Sequence, residues 1–215
     1  MGGKNPMIVP DYADLGTAAD ACLNCAFLST GQRCTASSRL IETAGIHDAF
    51  VAEMNDRAVA PKVGDALDPE TRIGPVVDQY QLDQNISYVQ LAKDEGCAVA
   101  GGEIVDGPGF LQRPAMSVGA TNRMRTSRKE IFGPCASIVK EADNDDAAAI
   151  ANDTEFGLSV GHPHDLVETC QPFPPPCASR HGHGEFANGG CRLPLPLRGP
   201  QTFEPWSWGT GQPFP

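Results

Sequence analysis

The sequence predicts an α/β protein: a mostly parallel sheet flanked by helices over residues 1–160, followed by an irregular proline-rich tail over residues 161–215. Three observations predict it. Apolar residues before the tail recur at helical spacing, short β-branched runs lie between those stretches, and the texture of the chain changes abruptly at Gly161.

Taken in order, Asp14 stands where an N-cap belongs, ahead of a helix that carries Leu15, Ala18, Ala19, Cys22 and Ala26 along one face. Arg39-Leu40-Ile41 reads as a strand. A second helix carries Ile46, Phe50, Met54 and Ala58 inward, and the turn-rich stretch GDALDPETRIGP (64–75) separates it from a third that uses Leu82, Ile86 and Val89. Short strands are expected over 98–100, 110–113 and 136–140, with a last helix over 145–152.

The tail, from Gly161, holds 11 of the 19 prolines, four of the five histidines and both tryptophans, Trp206 and Trp208. Proline lacks the amide donor and fixes φ, so QPFPPPC and RLPLPLRGP cannot form interior helices or central strands. Polyproline-like or disordered chain is expected there.

A net charge of −11 argues against an electrostatic grip on nucleic acid or anionic lipid, which needs clustered Lys and Arg. A small-molecule protein fits better. No apolar run reaches the roughly 18 residues of a membrane span, and the first residues lack the basic stretch and apolar core of a secretory signal, so the expected compartment is the cytoplasm. The eight cysteines are irregularly spaced in a chain too long to need disulfide staples, and reduced thiols are expected. The pair Cys22 and Cys25 falls within the first helix and reads as core. The tail's His162, His164, Cys170, Cys177, His181, His183 and Cys191 repeat no metal-ligand spacing, so no metal is expected.

The segment STGQRCTASSR around Cys34 has the small polar residues of a tight, partly exposed turn in which a thiolate can meet a substrate. Alone, the pattern also fits an inert thiol. It has company: GGKNPMIV at 2–9, KEIFGP at 129–134 and NDTEFGLS at 152–159 follow in a fixed order around it.

Together these segments resemble the aldehyde dehydrogenase superfamily, and the resemblance runs nearly continuously over residues 1–160, a partial catalytic domain of that fold. It implies that Cys34 attacks an aldehyde carbon, with its own backbone N–H donating to the oxyanion, and that a thioester then forms and is hydrolysed. It also implies that Glu130 binds the nicotinamide ribose of NAD or NADP and that Phe132 packs at the nicotinamide end. The plainer readings of those two are a solvated glutamate and a core phenylalanine. Intact relatives are homo-oligomers.

Two departures from the family pattern shape the expectation for this chain. The family's general-base glutamate lies two residues before the Gly-Gly-Lys run, so Met1 takes the leucine position and the base, with the dinucleotide-binding half, would precede it. Written in codons and shifted by one nucleotide from Gly161, the tail can be read as the family's A-G-x-V-x-V-N strand and P-F-G-G-x-K loop. We therefore expect residues 161–215 to be out-of-frame translation and the chain to show little turnover. The shifted text also resembles semialdehyde dehydrogenases acting on 2-oxoglutarate semialdehyde, which points to a dicarboxylate semialdehyde substrate. Two other readings are a non-catalytic interaction protein docking through Leu193-Pro194-Leu195-Pro196 and a reactive-thiol protein without cofactor.

Overall fold

A computed structural model of the chain describes residues 2–163, together with the backbone of 181–185 and 191–196. Ten strands and five helices occur among these residues. In chain order they are β1 (Asn5–Val9), α1 (Leu15–Phe27), β2 (Ser37–Thr43), α2 (His47–Ala58), α3 (Gln79–Asp94), β3 (Ala98–Gly101), β4 (Ile104–Val105), β5 (Leu111–Gln112), β6 (Ala115–Ala120), α4 (Arg125–Arg128), β7 (Cys135–Glu141), α5 (Asn144–Asn152), β8 (Ser159–Pro163), β9 (His181–Glu185) and β10 (Cys191–Pro196).

Eight strands form one sheet in the order β10-β9-β8-β1-β2-β7-β6-β3. The six from β9 to β6 run parallel, while β10 and β3 are antiparallel edges. Alternation along the central strands sorts the core into two layers. Met7, Val9, Leu40 and Ile138 face α1 and α2, against Ala18, Cys22, Phe50 and Met54. Ile8, Ile41 and Val139 face the other way, against Ala147, Ala148 and Ala151 of α5 and Ala92 of α3. The side chain of Asp14 caps α1 by accepting from Thr17 N. Cys22 and Cys25 are both buried in that core. No helix among the described residues is long and apolar enough to cross a membrane.

Several elements depart from the sequence expectation. Ile86 is only half-buried on α3, and Asn85 is buried in its place because Gly133 packs against its amide. The strand expected over 110–113 shrinks to β5, which pairs with β4 in a separate ribbon outside the main sheet. Its neighbour β6 (AMSVGA), poor in β-branched residues, sits inside the sheet through burial of Ala115, Met116 and Ala120. The last helix begins at Asn144 with Asp143 as its cap. Strand β8 runs across the boundary read at residue 160, Gly161 pairing with Met7.

The segment expected to be irregular contributes β9 and β10, and Leu193 to Pro196 lie in β10. Its prolines are tolerated because β10 is an edge strand, with one side free of ladder bonds among the described residues. The QPFPPPC run, Cys170, Cys177 and both tryptophans lie outside the described residues.

Candidate active site

Cys34 sits in the connection that carries the chain from α1 back to β2. Helix α1 ends at Phe27, and the tight turn over Leu28–Gly31 follows, with Ser29, Thr30 and Gly31 at φ of 57°, 55° and 64°. Left-handed backbone costs a non-glycine residue about 1–2 kcal/mol, so this turn is held by its surroundings. Arg33 donates to the carbonyls of Asn24 (2.9 Å) and Cys25 (3.0 Å), two acceptors left over at the end of α1. The side-chain oxygen of Gln32 accepts from Val77 N at 3.1 Å. Cys34 is exposed, whereas Cys22, Cys25, Cys97 and Cys135 are buried.

A second strained loop faces the first. Phe132 has φ 60°, and it is the remaining non-glycine residue with positive φ among the described residues. The loop is pinned to α3 on both sides of it. Gln81 and Gln84 each donate to Ile131 O at 2.9 Å, and a Cβ at Gly133 would fall 2.2 Å from the Asn85 amide oxygen. With its backbone so constrained, the Phe132 ring is left 40% exposed rather than packed in the core. The two loops touch, since a Cβ on Gly31 would come within 2.3 Å of Gly133 O. Glycine is required there by both space and φ.

Residues 2–5 link the two loops to the sheet. The half-buried Glu130 accepts from Gly3 N through Oε1 at 2.8 Å. A Cβ on Gly3 would lie 2.6 Å from Cys34 O, so the chain passes directly against the peptide of the thiol residue. Lys4 is 1% exposed, and its Nζ has no hydrogen-bond partner among the described residues. Burial, helped by repulsion from Arg39, lowers its ammonium to about 7, against the pull of Cys135 and Glu130. Burial likewise pushes the Cys135 thiol up to about 11, which leaves it an inert core thiol. Arg39, wholly buried, donates to the carbonyls of Lys4 (3.0 Å), Ile150 (2.9 Å) and Ala151 (2.9 Å) and to Asn122 Oδ1 (3.0 Å), tying β1 to the end of α5.

The structure thus brings Cys34 and the Glu130–Phe132 loop to one end of the parallel sheet, and among the described residues the non-glycine positions at positive φ fall in the two loops that carry them. A profile described as "Aldehyde dehydrogenase family" matches residues 1–162. The chain belongs to the aldehyde dehydrogenase family. It is 41% identical over 165 residues to the alpha-ketoglutaric semialdehyde dehydrogenase of Bacillus subtilis, covering 74% of this chain and 34% of that protein. It is 40% identical over 167 residues to a betaine aldehyde dehydrogenase of Mesorhizobium japonicum, covering 75% of this chain and 34% of that protein. Among solved structures, it is similar to an NAD-dependent aldehyde dehydrogenase from Sinorhizobium meliloti, with a TM-score of 0.79, 33% identity, and coverage of 87% of this chain and 37% of that one. The chain spans about a third of the length of the curated relatives it matches.

For this aldehyde dehydrogenase segment, sequence reasoning singled out Cys34, Glu130 and Phe132 and passed over the residues that hold them: Asn5, Gly31, Arg33 and Arg39. For Asn5 the signal was its place in the Gly-Gly-Lys-Asn run, and for Gly31 and Arg33 their place in the STGQRC segment beside Cys34. The side chains of His181, His183 and Cys191, weighed above as metal ligands, lie outside the described residues. Among the described residues, no three His, Cys, Asp or Glu side chains cluster to hold an ion.

Proposed function

We propose that the chain carries the nucleophile and ribose-binding loop of an NAD(P)-dependent aldehyde dehydrogenase, with Cys34 as nucleophile, Glu130 and Phe132 toward the cofactor, and a dicarboxylate semialdehyde as substrate. One observation carries the reading: the backbone carbonyl of the exposed Cys34 and the Glu130 carboxylate are both anchored on residues 3–5, although 96 residues separate them in the chain.

The Cys34 thiolate adds to the aldehyde carbon, and the resulting oxyanion lies within reach of the Cys34 N–H. NAD(P), when bound, supplies the acceptor for the hydride that leaves this carbon. What remains on Cys34 is a thioester, which water hydrolyses to the carboxylic acid and free thiol. The residues present fit the cofactor. Glu130 is fixed through one oxygen by Gly3 N, and a carboxylate has acceptor capacity left for two hydroxyls. Phe132 exposes an apolar ring beside it. Support for the substrate comes from the named semialdehyde relative and from the shifted reading of the tail. The same reading expects little turnover from these 215 residues alone and a small-molecule aldehyde as the ligand.

The test is alkylation of Cys34 by iodoacetamide, located by peptide mass spectrometry. A semialdehyde bearing a distal carboxylate should slow it, and NAD(P) should slow it further unless Glu130→Ala is introduced. If no aldehyde protects Cys34, the nucleophile assignment fails. Protection by betaine aldehyde alone would replace the substrate class.

A further inference from the structure

Asn5 belongs to the Gly-Gly-Lys-Asn run and has no role in the chemistry above, yet its side chain bonds the nucleophile's peptide. We propose that Asn5 is a positioning residue for Cys34: its amide fixes the peptide that follows the thiol against β1 and β8, and so in register with Glu130. The proposal rests on the reading of Cys34 as the nucleophile.

Asn5 is 2% exposed. Its Nδ2 donates to Cys34 O at 2.8 Å and to Ala36 O at 2.9 Å, and its Oδ1 accepts from Ser159 N at 3.1 Å. Both donors of the amide are therefore spent on one three-residue stretch, Cys34 to Ala36, and its oxygen on the start of β8. The backbone could not make these bonds itself. The β1–β2 ladder pairs Asn5 with Ser37 and then Pro6 with Arg39, so the register slips here by one residue, and Pro6 offers no N–H. At this gap the Asn5 side chain replaces the missing ladder bonds. Gly3 makes the approach possible, because any Cβ there would also lie 2.8 Å from Asn5 Nδ2. Gly3 N holds Glu130 and Asn5 Nδ2 holds Cys34, so a span of three residues sets the nucleophile against the ribose carboxylate.

A positioning role predicts that chemistry needing a stabilised tetrahedral oxyanion suffers more than simple displacement. In acylation of Cys34 by p-nitrophenyl acetate, the thiolate attacks the acetyl carbon, the S–C bond forms, the C–O bond breaks and nitrophenolate leaves, the thiol proton passing to water. Alkylation by iodoacetamide forms no such oxyanion. Both rates are measured on the full 215-residue chain and assigned to Cys34 by peptide mass spectrometry. Asn5→Ala should lower the ratio of acylation to alkylation by about tenfold or more. Asn5→Asp is isosteric, keeps an acceptor for Ser159 N and loses both donated bonds. It should lower the ratio as far, and it serves as the folded variant where the alanine substitution does not melt cooperatively. An unchanged ratio, or two rates that fall together, reduces Asn5 to a structural role and overturns the inference. A wild-type Cys34 that alkylates but never acylates overturns the nucleophile assignment itself, and the inference with it.

Discussion

Replacing Lys4 with methionine should stabilise the protein at neutral and acid pH and lose that advantage in base. The Lys4 amine is 1% exposed and has no hydrogen-bond partner among the described residues, and burial lowers it from 10.5 to about 7. Between those two values the unfolded chain binds a proton that the folded chain does not, so wild-type stability rises with pH across this window. At about 1.4 kcal/mol per pH unit, the cost of burying the amine approaches about 5 kcal/mol at pH 6, about 3 kcal/mol at pH 8 and less than about 1 kcal/mol at pH 10. These are upper values, because surrounding groups relax around a buried charge. Methionine keeps the unbranched shape without the amine. Urea unfolding of wild type and Lys4→Met at pH 6, 8 and 10 measures the difference directly, and titrating groups remote from Lys4 cancel between the two proteins. A gain that is the same at all three pH values, or a loss at pH 6, would refute the account of Lys4 as an unpaired buried amine.

Three further outcomes follow from the same contacts. Arg39→Leu strips donors from three carbonyls and from Asn122, and it should lower the urea midpoint by the equivalent of about 3 kcal/mol with an unchanged slope. Gly31→Ala forces the Gly31 and Gly133 backbones to separate, since the new Cβ would fall within 2.3 Å of Gly133 O, and should cost about 3 kcal/mol or more, while Gly96→Ala, also at positive φ but with nothing within 4 Å, should cost about 1 kcal/mol; thermal melts compare them. Burial raises the fully buried Glu42 carboxyl well above its usual range, so wild-type stability falls as pH rises past 4.5, where the unfolded carboxyl has lost its proton. Glu42→Gln should therefore gain on wild type at pH 8 and not at pH 4, as read by chemical unfolding at both.

Much of the fold was legible because helices announce their buried face locally. The spacing of Ala18, Ala19, Cys22 and Ala26, and of Phe50, Met54 and Ala58, identified the inward sides of α1 and α2, and all seven residues are buried. The apolar centres of β2 and β7 stood out in the same way. Strand β1 did not, since a proline at its second position argues against an interior strand. The structure admits Pro6 by a register slip at that point. Strand β10 was missed for the same reason, and it survives because it lies at the edge. Asn85, buried in place of Ile86, answers to a loop 48 residues further along that no helical period can foresee.

Family membership is a property of residue order, which is why short ordered motifs carried it, and the roles proposed for Cys34 and Glu130 rest on the same motifs. The tertiary structure decided what those residues rest on. The contact of Gly31 with Gly133, the grip of Asn5 on Cys34 and the bond from Gly3 to Glu130 join positions from 29 to 127 residues apart. The physical reason is that strand pairing and loop packing satisfy hydrogen bonds across the sheet, between partners the chain meets only once it has folded.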